Sequence, residues 1–130
     1  MVRIFGDADC RNSRRAAEWL QMRNFAYQFN DLRKGGLPPL ALSACIDAYG
    51  WRALIDGRTV AWRALPEHNV CDLDQAGAQA LITELPQLLK CPIIGVGDSW
   101  LLGWNAANKV RLLGNMPARG FGPVLNAQIA

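Results

Sequence analysis

The pattern of apolar and polar positions at the start of the chain predicts a strand, a helix and a second strand. Val2–Phe5 is a short β-branched and aromatic run that ends at a glycine, which is typical of a buried strand. Phe25–Phe29 alternates apolar and polar residues and closes at Asn30-Asp31, as a second strand does. Because the crossover between the two strands is short and helical, we expect them to pair in parallel. The helix is predicted over Arg11–Arg23, with an apolar face made of Ala16, Ala17, Trp19, Leu20 and Met22.

The middle of the chain has helical spacing throughout. A glycine pair at Gly35-Gly36 breaks the chain, and Pro38-Pro39 suits the start of a helix over Leu40–Tyr49. Shorter helical segments are predicted at Trp51–Ile55 and Ala61–Leu65. The last segment is predicted to be an amphipathic helix over Asp72–Leu85, with Leu73, Ala76, Ala80, Leu81 and Leu85 on its apolar face.

The final third returns to strands. Ile93–Val96 and Trp100–Gly103 flank a Gly-Asp-Ser turn, which is a hairpin signal, and Ala106–Leu113 predicts a closing helix. The resulting order is β-α-β, helices, then β-β-α, which is the order of a thioredoxin-like α/β fold with a helical insertion at about residues 37–90. We expect a mixed four-stranded sheet flanked by helices in one domain of residues 1–113, followed by a loosely ordered tail over 114–130.

Composition narrows the class of protein. Hydrophobic residues make up 51% of the 130 residues and charged residues 19%, which predicts one globular domain rather than a disordered chain. The net charge is +3 and the basic residues are scattered, so we expect no nucleic-acid partner. The chain has no apolar run of about 20 residues, and Asp7 and Asp9 follow its short apolar start. We therefore expect a cytoplasmic monomer that does not bind membranes.

Cys10 is the strongest candidate for chemistry. It lies in the predicted turn before the first helix, where unpaired amides and the helix dipole favour a thiolate and can hold an oxyanion. Arg11, Arg14 and Arg15 add positive charge, and Ser13 can donate a hydrogen bond to the sulfur or cap the helix. We therefore predict a lowered pKa for Cys10. The alternative is a small, inert packing residue at the end of a strand.

The other candidate residues have weaker support. Cys45 lies within an apolar helical segment and is interpreted as a core residue. Cys71 precedes a predicted helix, with nothing nearby that indicates chemistry. His68 is the single histidine and cannot build a zinc site alone; a dyad with Cys10 would require it to fold across the chain.

Several segments together resemble the arsenate-reductase-like ArsC/Spx family, especially its YffB-like branch. The strand-loop-helix run Phe5-Gly-Asp-Ala-Asp-Cys-Arg-Asn-Ser-Arg-Arg-Ala is similar to the family's reactive-cysteine segment. The resemblance continues in family order to Arg111. The later segments are Asp31-Leu-Arg-Lys-Gly-Gly-Leu, Gly50-Trp-Arg-Ala-Leu-Ile, Gly57-Arg-Thr, Trp62-Arg-Ala-Leu, Leu85-Pro-Gln-Leu-Leu-Lys-Cys-Pro and Leu101-Leu-Gly-Trp.

The resemblance implies a thiol oxidoreductase with Cys10 as nucleophile and no bound cofactor or metal. Glutathione, another small thiol or a thiol-containing protein would be the co-substrate. Arg58 matches an arginine of the Spx and YffB-like branch and would hold a carboxylate of that co-substrate. The expected catalytic residues are Cys10, Ser13 and Cys91, and the expected substrate-binding residues are Arg11, Asn12, Arg14, Arg58 and Pro92.

The chain also departs from the arsenate reductases of this family. Those enzymes hold arsenate with arginines, one of them directly before the later proline, where this chain has Cys91. The Leu101–Trp104 segment has no arginine either, and Asp56 stands where a further arginine is expected. We therefore expect arsenate reduction to be weak or absent. Ser13 replaces the second cysteine of Spx, which excludes a redox switch within that motif.

Cys91-Pro92 is the second region of interest. The resemblance implies a cis proline beside the active-site turn, which would bring Cys91 next to Cys10. Mild oxidation is then expected to link these two thiols before Cys45 or Cys71. Cys91 could also ligate a metal or iron–sulfur cluster, or simply pack. The alternative function is a non-catalytic, Spx-like module that binds a protein such as RNA polymerase.

Overall fold

The computed structural model describes residues 1–67 and 71–115, which fall into two compact units. Among the described residues, the sheet unit contains Met1–Asp31 and the chain from Cys91 to residue 115, and the helical unit contains those between Leu32 and Lys90. His68, considered above as a partner for Cys10, and the predicted tail from residue 116 onward lie outside the described residues.

The sheet unit contains a four-stranded mixed sheet with strand order β2-β1-β3-β4. Its elements are β1 (Val2–Gly6), α1 (Arg11–Met22), β2 (Tyr27–Asp31), β3 (Ile93–Val96), β4 (Ser99–Leu102) and the closing helix α7 (Ala106–Asn115). Strand β1 pairs in parallel with β2 and antiparallel with β3, and β3 and β4 form the predicted hairpin. The mixed thioredoxin-like sheet predicted from the sequence is confirmed.

One face of this sheet is covered by α1 and α7. Alternate residues of β1 and β3 point toward the two helices, because successive side chains of a strand face opposite sides. The buried cluster consists of Val2, Ile4, Ala16, Leu20, Phe25, Tyr27, Ile94, Val96, Leu101 and Leu112. Burial of this cluster holds the start of α1 in a fixed position against the end of β1.

Several details of the sheet unit differ from the sequence prediction. Strand β2 begins at Tyr27 rather than Phe25, because Phe25 donates its amide to the Leu20 carbonyl and still belongs to the turn after α1. Met22 was expected on the apolar face of α1 but is 83% exposed. The closing helix continues two residues beyond its predicted end at Leu113.

The helical unit contains five α-helices and one 3-10 turn among its described residues. They are α2 (Leu32–Gly35), α3 (Pro39–Tyr49), α4 (Trp51–Leu54), α5 (Val60–Arg63), α6 (Gln75–Glu84) and the 3-10 turn Pro86–Leu88. Helix α6 begins three residues later than predicted because the Asp74 carboxylate caps it, accepting the Gly77 amide at 2.8 Å. Its buried face is Ala78 and Ile82 rather than the predicted Ala76 and Ala80, which are exposed.

No helix in the described ranges is both long enough and apolar enough to cross a membrane.

Candidate functional site

The candidate site forms around the loop between β1 and α1. The loop is a tight turn in which the Cys10 amide donates to the Asp7 carbonyl at 2.8 Å, and the Asp9 amide donates to the Asp7 carboxylate at 2.8 Å. Cys10 has an extended backbone (φ −86°, ψ 120°) and immediately precedes α1. Its carbonyl accepts the first helical hydrogen bond, from the Arg14 amide, so its side chain lies at the amino end of the helix.

Ser13 is completely buried, with 0% of its surface exposed. Gly6, the last residue of β1, leaves room for it, since a Cβ at position 6 would collide with the Ser13 Oγ. The Ser13 Oγ accepts the Asp7 amide at 3.4 Å, and the hydroxyl proton is donated toward the Cys10 sulfur. Of the two roles considered for Ser13, the hydrogen bond to the sulfur is the one that lowers the pKa of Cys10.

Cys91 and Pro92 lie against this loop from the other side. The Cys91–Pro92 peptide bond is cis, as the family resemblance implied, and Pro92 is buried. Because β3 runs antiparallel to β1 with Ile93 opposite Phe5, the residues that precede β3 lie beside those that follow β1. The Cys10 Sγ is 3.7 Å from the Cys91 carbonyl oxygen, although 81 positions separate the two residues.

The environment of Cys10 favours its thiolate. Burial raises the pKa of the Cys10 thiol, but hydrogen bonds from the Cys91 thiol, the Ser13 hydroxyl and the amides of Ser13 and Asn12 outweigh it. The pKa of Cys10 therefore lies below that of an ordinary cysteine, in the direction predicted from the sequence. The cause differs in part from the predicted one. The groups that lower the pKa are neutral hydrogen-bond donors close to the sulfur, rather than the charges of the neighbouring arginines.

The pKa of Cys91 moves the opposite way. Burial raises it, and the hydrogen bond to Cys10 and the negative charge of Cys10 raise it further. These opposite pKa shifts favour a Cys10 thiolate that accepts a hydrogen bond from the Cys91 thiol. The sequence predicted Cys91 beside Cys10 as a disulfide partner, a metal ligand or a packing residue. It did not predict a hydrogen-bond donor, because the raised pKa of Cys91 comes first from its burial in the folded chain.

The predicted substrate-binding residues other than Pro92 have exposed side chains. Arg11, Asn12 and Arg14 have exposed side chains on the first turns of α1. Arg58 belongs to the helical unit, where its side chain is 87% exposed and its Nε lies 3.2 Å from the Asp56 Oδ1. Burial raises the pKa of Asp56, but the hydrogen bonds and charge of Arg58 overcome this and lower it.

The remaining described cysteines provide a contrast. Cys45 is 1% exposed within α3, and burial raises its pKa to about 11, which confirms that it is a core residue. Cys71 is exposed. Across residues 1–67 and 71–115, no group of three or more His, Cys, Asp or Glu side chains is arranged to hold a metal ion.

A sheet of this order, with a cysteine at the start of the first helix and a cis proline beside it, defines a thioredoxin-like protein. Within that class the chain belongs to the ArsC family, whose model matches residues 5–111. The family resemblance seen in the sequence is therefore confirmed.

Several known proteins are also similar to this chain. An uncharacterized protein of Haemophilus influenzae is 31% identical over 105 residues, which cover 81% of this chain and 92% of the relative. The solved structure of the YffB protein superposes with a TM-score of 0.79 at 24% identity, covering 90% of this chain and all of YffB. An arsenate reductase (ArsC) related protein of Brucella melitensis gives 0.66 at 26% identity, covering 86% and 93%.

We predict that removing either neutral donor raises the pKa of Cys10. In Cys91→Ala and Ser13→Ala the thiolate loses a hydrogen bond, so the midpoint of the alkylation rate against pH should move to higher pH. The wild-type midpoint should lie below that of an ordinary cysteine. Cys71→Ala is the matched control and should leave the Cys10 midpoint unchanged; a midpoint unmoved by both donor variants would contradict the proposed hydrogen bonds.

We also predict that mild oxidation links Cys10 to Cys91 first. The two thiols are neighbours, whereas Cys45 is buried among apolar residues. Peptide mapping after diamide treatment should recover the Cys10–Cys91 disulfide, and Cys71→Ser should not change its yield. Recovery of Cys10 as a sulfinic acid with Cys91 still free would mean that Cys91 does not act as a disulfide partner.

Proposed function

We propose that the protein is a thiol oxidoreductase that uses Cys10 as its nucleophile and glutathione as co-substrate. The observation that carries this proposal is the half-exposed sulfur of Cys10, which has a lowered pKa and receives hydrogen bonds from the Cys91 thiol, Ser13 and the first amides of α1. Reactive cysteines combine partial exposure with a stabilised thiolate. Cys45, buried and with a raised pKa, has neither property.

In the first step the Cys10 thiolate attacks one sulfur of a substrate disulfide. A bond forms between Cys10 and that sulfur, the substrate S–S bond breaks, and the other substrate sulfur leaves as a thiolate with the bonding electron pair. In the second step the thiolate of glutathione attacks the mixed disulfide. A bond forms between the glutathione sulfur and the substrate sulfur, the bond from Cys10 to the substrate sulfur breaks, and Cys10 leaves as a thiolate. The hydrogen-bond donors of the resting site stabilise that thiolate again.

Glutathione is better suited than Cys91 to the second attack. The pKa of Cys91 is raised, so at neutral pH its thiol is protonated and a poor nucleophile. A soluble thiol brings its own thiolate to the mixed disulfide. Because glutathione is the abundant thiol of reducing compartments, this function fits a cytoplasmic location.

We predict that oxidised glutathione modifies Cys10 and that reduced glutathione restores it. Mass spectrometry at short reaction times should show one glutathione adduct on the wild-type protein, located at Cys10, because the protonated Cys91 thiol displaces it only slowly. Cys10→Ser should show no adduct at this position. Ser13→Ala should slow adduct formation at neutral pH about fivefold, because it removes one hydrogen bond to the attacking thiolate. The matched control Cys71→Ser should form the Cys10 adduct at the wild-type rate.

Two results would contradict the oxidoreductase. The first is a wild-type protein in which exposed Cys71 reacts and Cys10 does not. The second is an adduct that reduced glutathione cannot remove. Either result would favour the alternative role as a protein-binding module.

Arsenate is a poor fit to the same site. An arsenate oxyanion bound at Cys10 would meet the protonated thiol of Cys91 at the position where the family's arsenate reductases have an arginine. The side chains of Leu101, Leu102 and Trp104 supply no cation on the next strand and its end. Each missing charge-assisted hydrogen bond costs about 1.5–3 kcal/mol.

We predict that arsenate turnover with glutathione and glutaredoxin is weak or absent. Loss of two such hydrogen bonds corresponds to a rate at least about 100-fold below that of an arsenate reductase assayed in parallel. The measurement is arsenite production by the wild-type protein, with Cys10→Ser as background. Turnover comparable to the reference enzyme would show that arsenate binding does not need these arginines.

A further inference from the structure

A groove of about 420 Å³ lies in the sheet unit along the outer side of α1. The side chains that matter here are Asn12, Arg15, Glu18 and Trp19 from α1, with Trp104 and Lys109 from the segment that begins α7. Its volume is within the range of sites that bind small molecules. Apart from Asn12, these side chains have no role in the reaction at Cys10 described above.

Two tryptophans form the apolar part of the groove. The rings of Trp19 and Trp104 meet edge to face, with centroids 5.4 Å apart. The Lys109 Nζ lies 5.4 Å from the centroid of the Trp104 ring, which holds the ammonium group at the groove. Both indoles are half-buried, and the Arg23 guanidinium lies over the Trp19 ring, 4.6 Å from its centroid. The indoles therefore fix the shape of the groove and keep part of their surface exposed.

The groove comes closest along the chain to the reactive cysteine at Asn12, two residues after Cys10. Asn12 belongs both to the Cys10 site and to the groove. Its backbone amide donates to the Cys10 sulfur, and its side chain lines the groove. A helix rises about 1.5 Å per residue, so the distance along α1 from Asn12 to Trp19 is about 10 Å. An extended peptide of three residues covers a similar length.

The charges of the groove specify the kind of ligand. Arg15 and Lys109 are two cations, and Glu18 is one carboxylate. We propose that the groove binds the peptide part of the thiol co-substrate, a short peptide thiol with two carboxylates and one amino group. The carboxylates pair with Arg15 and Lys109, the amino group pairs with Glu18, and the peptide backbone packs on the indole rings. The inference rests on the proposed function, in which such a thiol reacts at Cys10.

Binding in the groove would select among disulfides by their charge. The chemical step is the same exchange described above, in which the Cys10–sulfur bond forms, the disulfide bond breaks and a thiolate leaves. The groove contributes by holding the sulfur of an acidic peptide thiol near Cys10. A neutral disulfide has no groups for the groove to bind and reacts at the rate set by the Cys10 thiolate alone.

A kinetic experiment compares oxidised glutathione with the neutral 2-hydroxyethyl disulfide. Arg15→Gln and Lys109→Gln should each lower the rate constant for modification of Cys10 by oxidised glutathione about fivefold, the size expected of an exposed charge pair. The rate with 2-hydroxyethyl disulfide should not change. Arg63→Gln removes an equal charge from an exposed position in α5 and should change neither rate.

A binding experiment removes the redox chemistry. S-methylglutathione is titrated into the Cys10→Ser protein, and the indole N–H signals are followed by NMR. Signals of Trp19 and Trp104, assigned with the Trp→Phe variants, should shift, and the shifts should be lost in Arg15→Gln. The signal of Trp51, in the helical unit, is the control and should not shift.

These results separate the two proposals. The groove proposal would be overturned, and the oxidoreductase left intact, if both groove variants formed the Cys10 glutathione adduct as fast as the wild-type protein. The same conclusion would follow if the variants slowed the reactions with both disulfides equally. Shifts of Trp19 and Trp104 without any adduct at Cys10 would support the groove and overturn the oxidoreductase. Absence of shifts at these two tryptophans would overturn the groove.

Discussion

The antiparallel pairing of β1 with β3 is the interaction on which the candidate site depends. Cys10 follows β1 and Cys91 precedes β3, and the register that places Phe5 opposite Ile93 brings both ends together. The cluster beneath the sheet then holds α1 so that its first amides point at the same sulfur. Without the pairing of β1 with β3, or without the buried cluster that holds α1, Cys10 would be an ordinary thiol on a loop.

Much of the fold could be predicted because local patterns determine it. The period-two strands, the helical spacing from Arg11 onward and the hairpin at Gly97-Asp98 are signals carried by a few neighbouring residues. The predictions were wrong where one local pattern was compatible with two different buried faces of a helix. The alanines of α6 allowed two apolar faces, and packing selected the one with Ala78 and Ile82. Met22 fitted the helical stripe, yet it lies at the end of α1, beyond the buried cluster.

The candidate site was predictable in position but not in its electrostatics. The sequence indicates that Cys10 opens a helix, and it shows nearby arginines, which suggested that charge stabilises the thiolate. The structure places neutral donors closer to the sulfur: a hydroxyl of Ser13, buried because Gly6 has no side chain, and the thiol of Cys91. The Ser13 contact was predicted from its spacing to Cys10, whereas the Cys91 thiol becomes a donor through tertiary packing and burial.

The opposed pKa shifts of Cys10 and Cys91 have a consequence for the site as a whole. Two chemically identical side chains share one proton over the pH range between their titrations, so the pair behaves as a single monoanion. An electrophile that enters the site therefore meets one nucleophilic thiolate and one protonated thiol, and it reacts at the thiolate. Regioselectivity is in this way a property of the resting protein, independent of the shape of the incoming molecule.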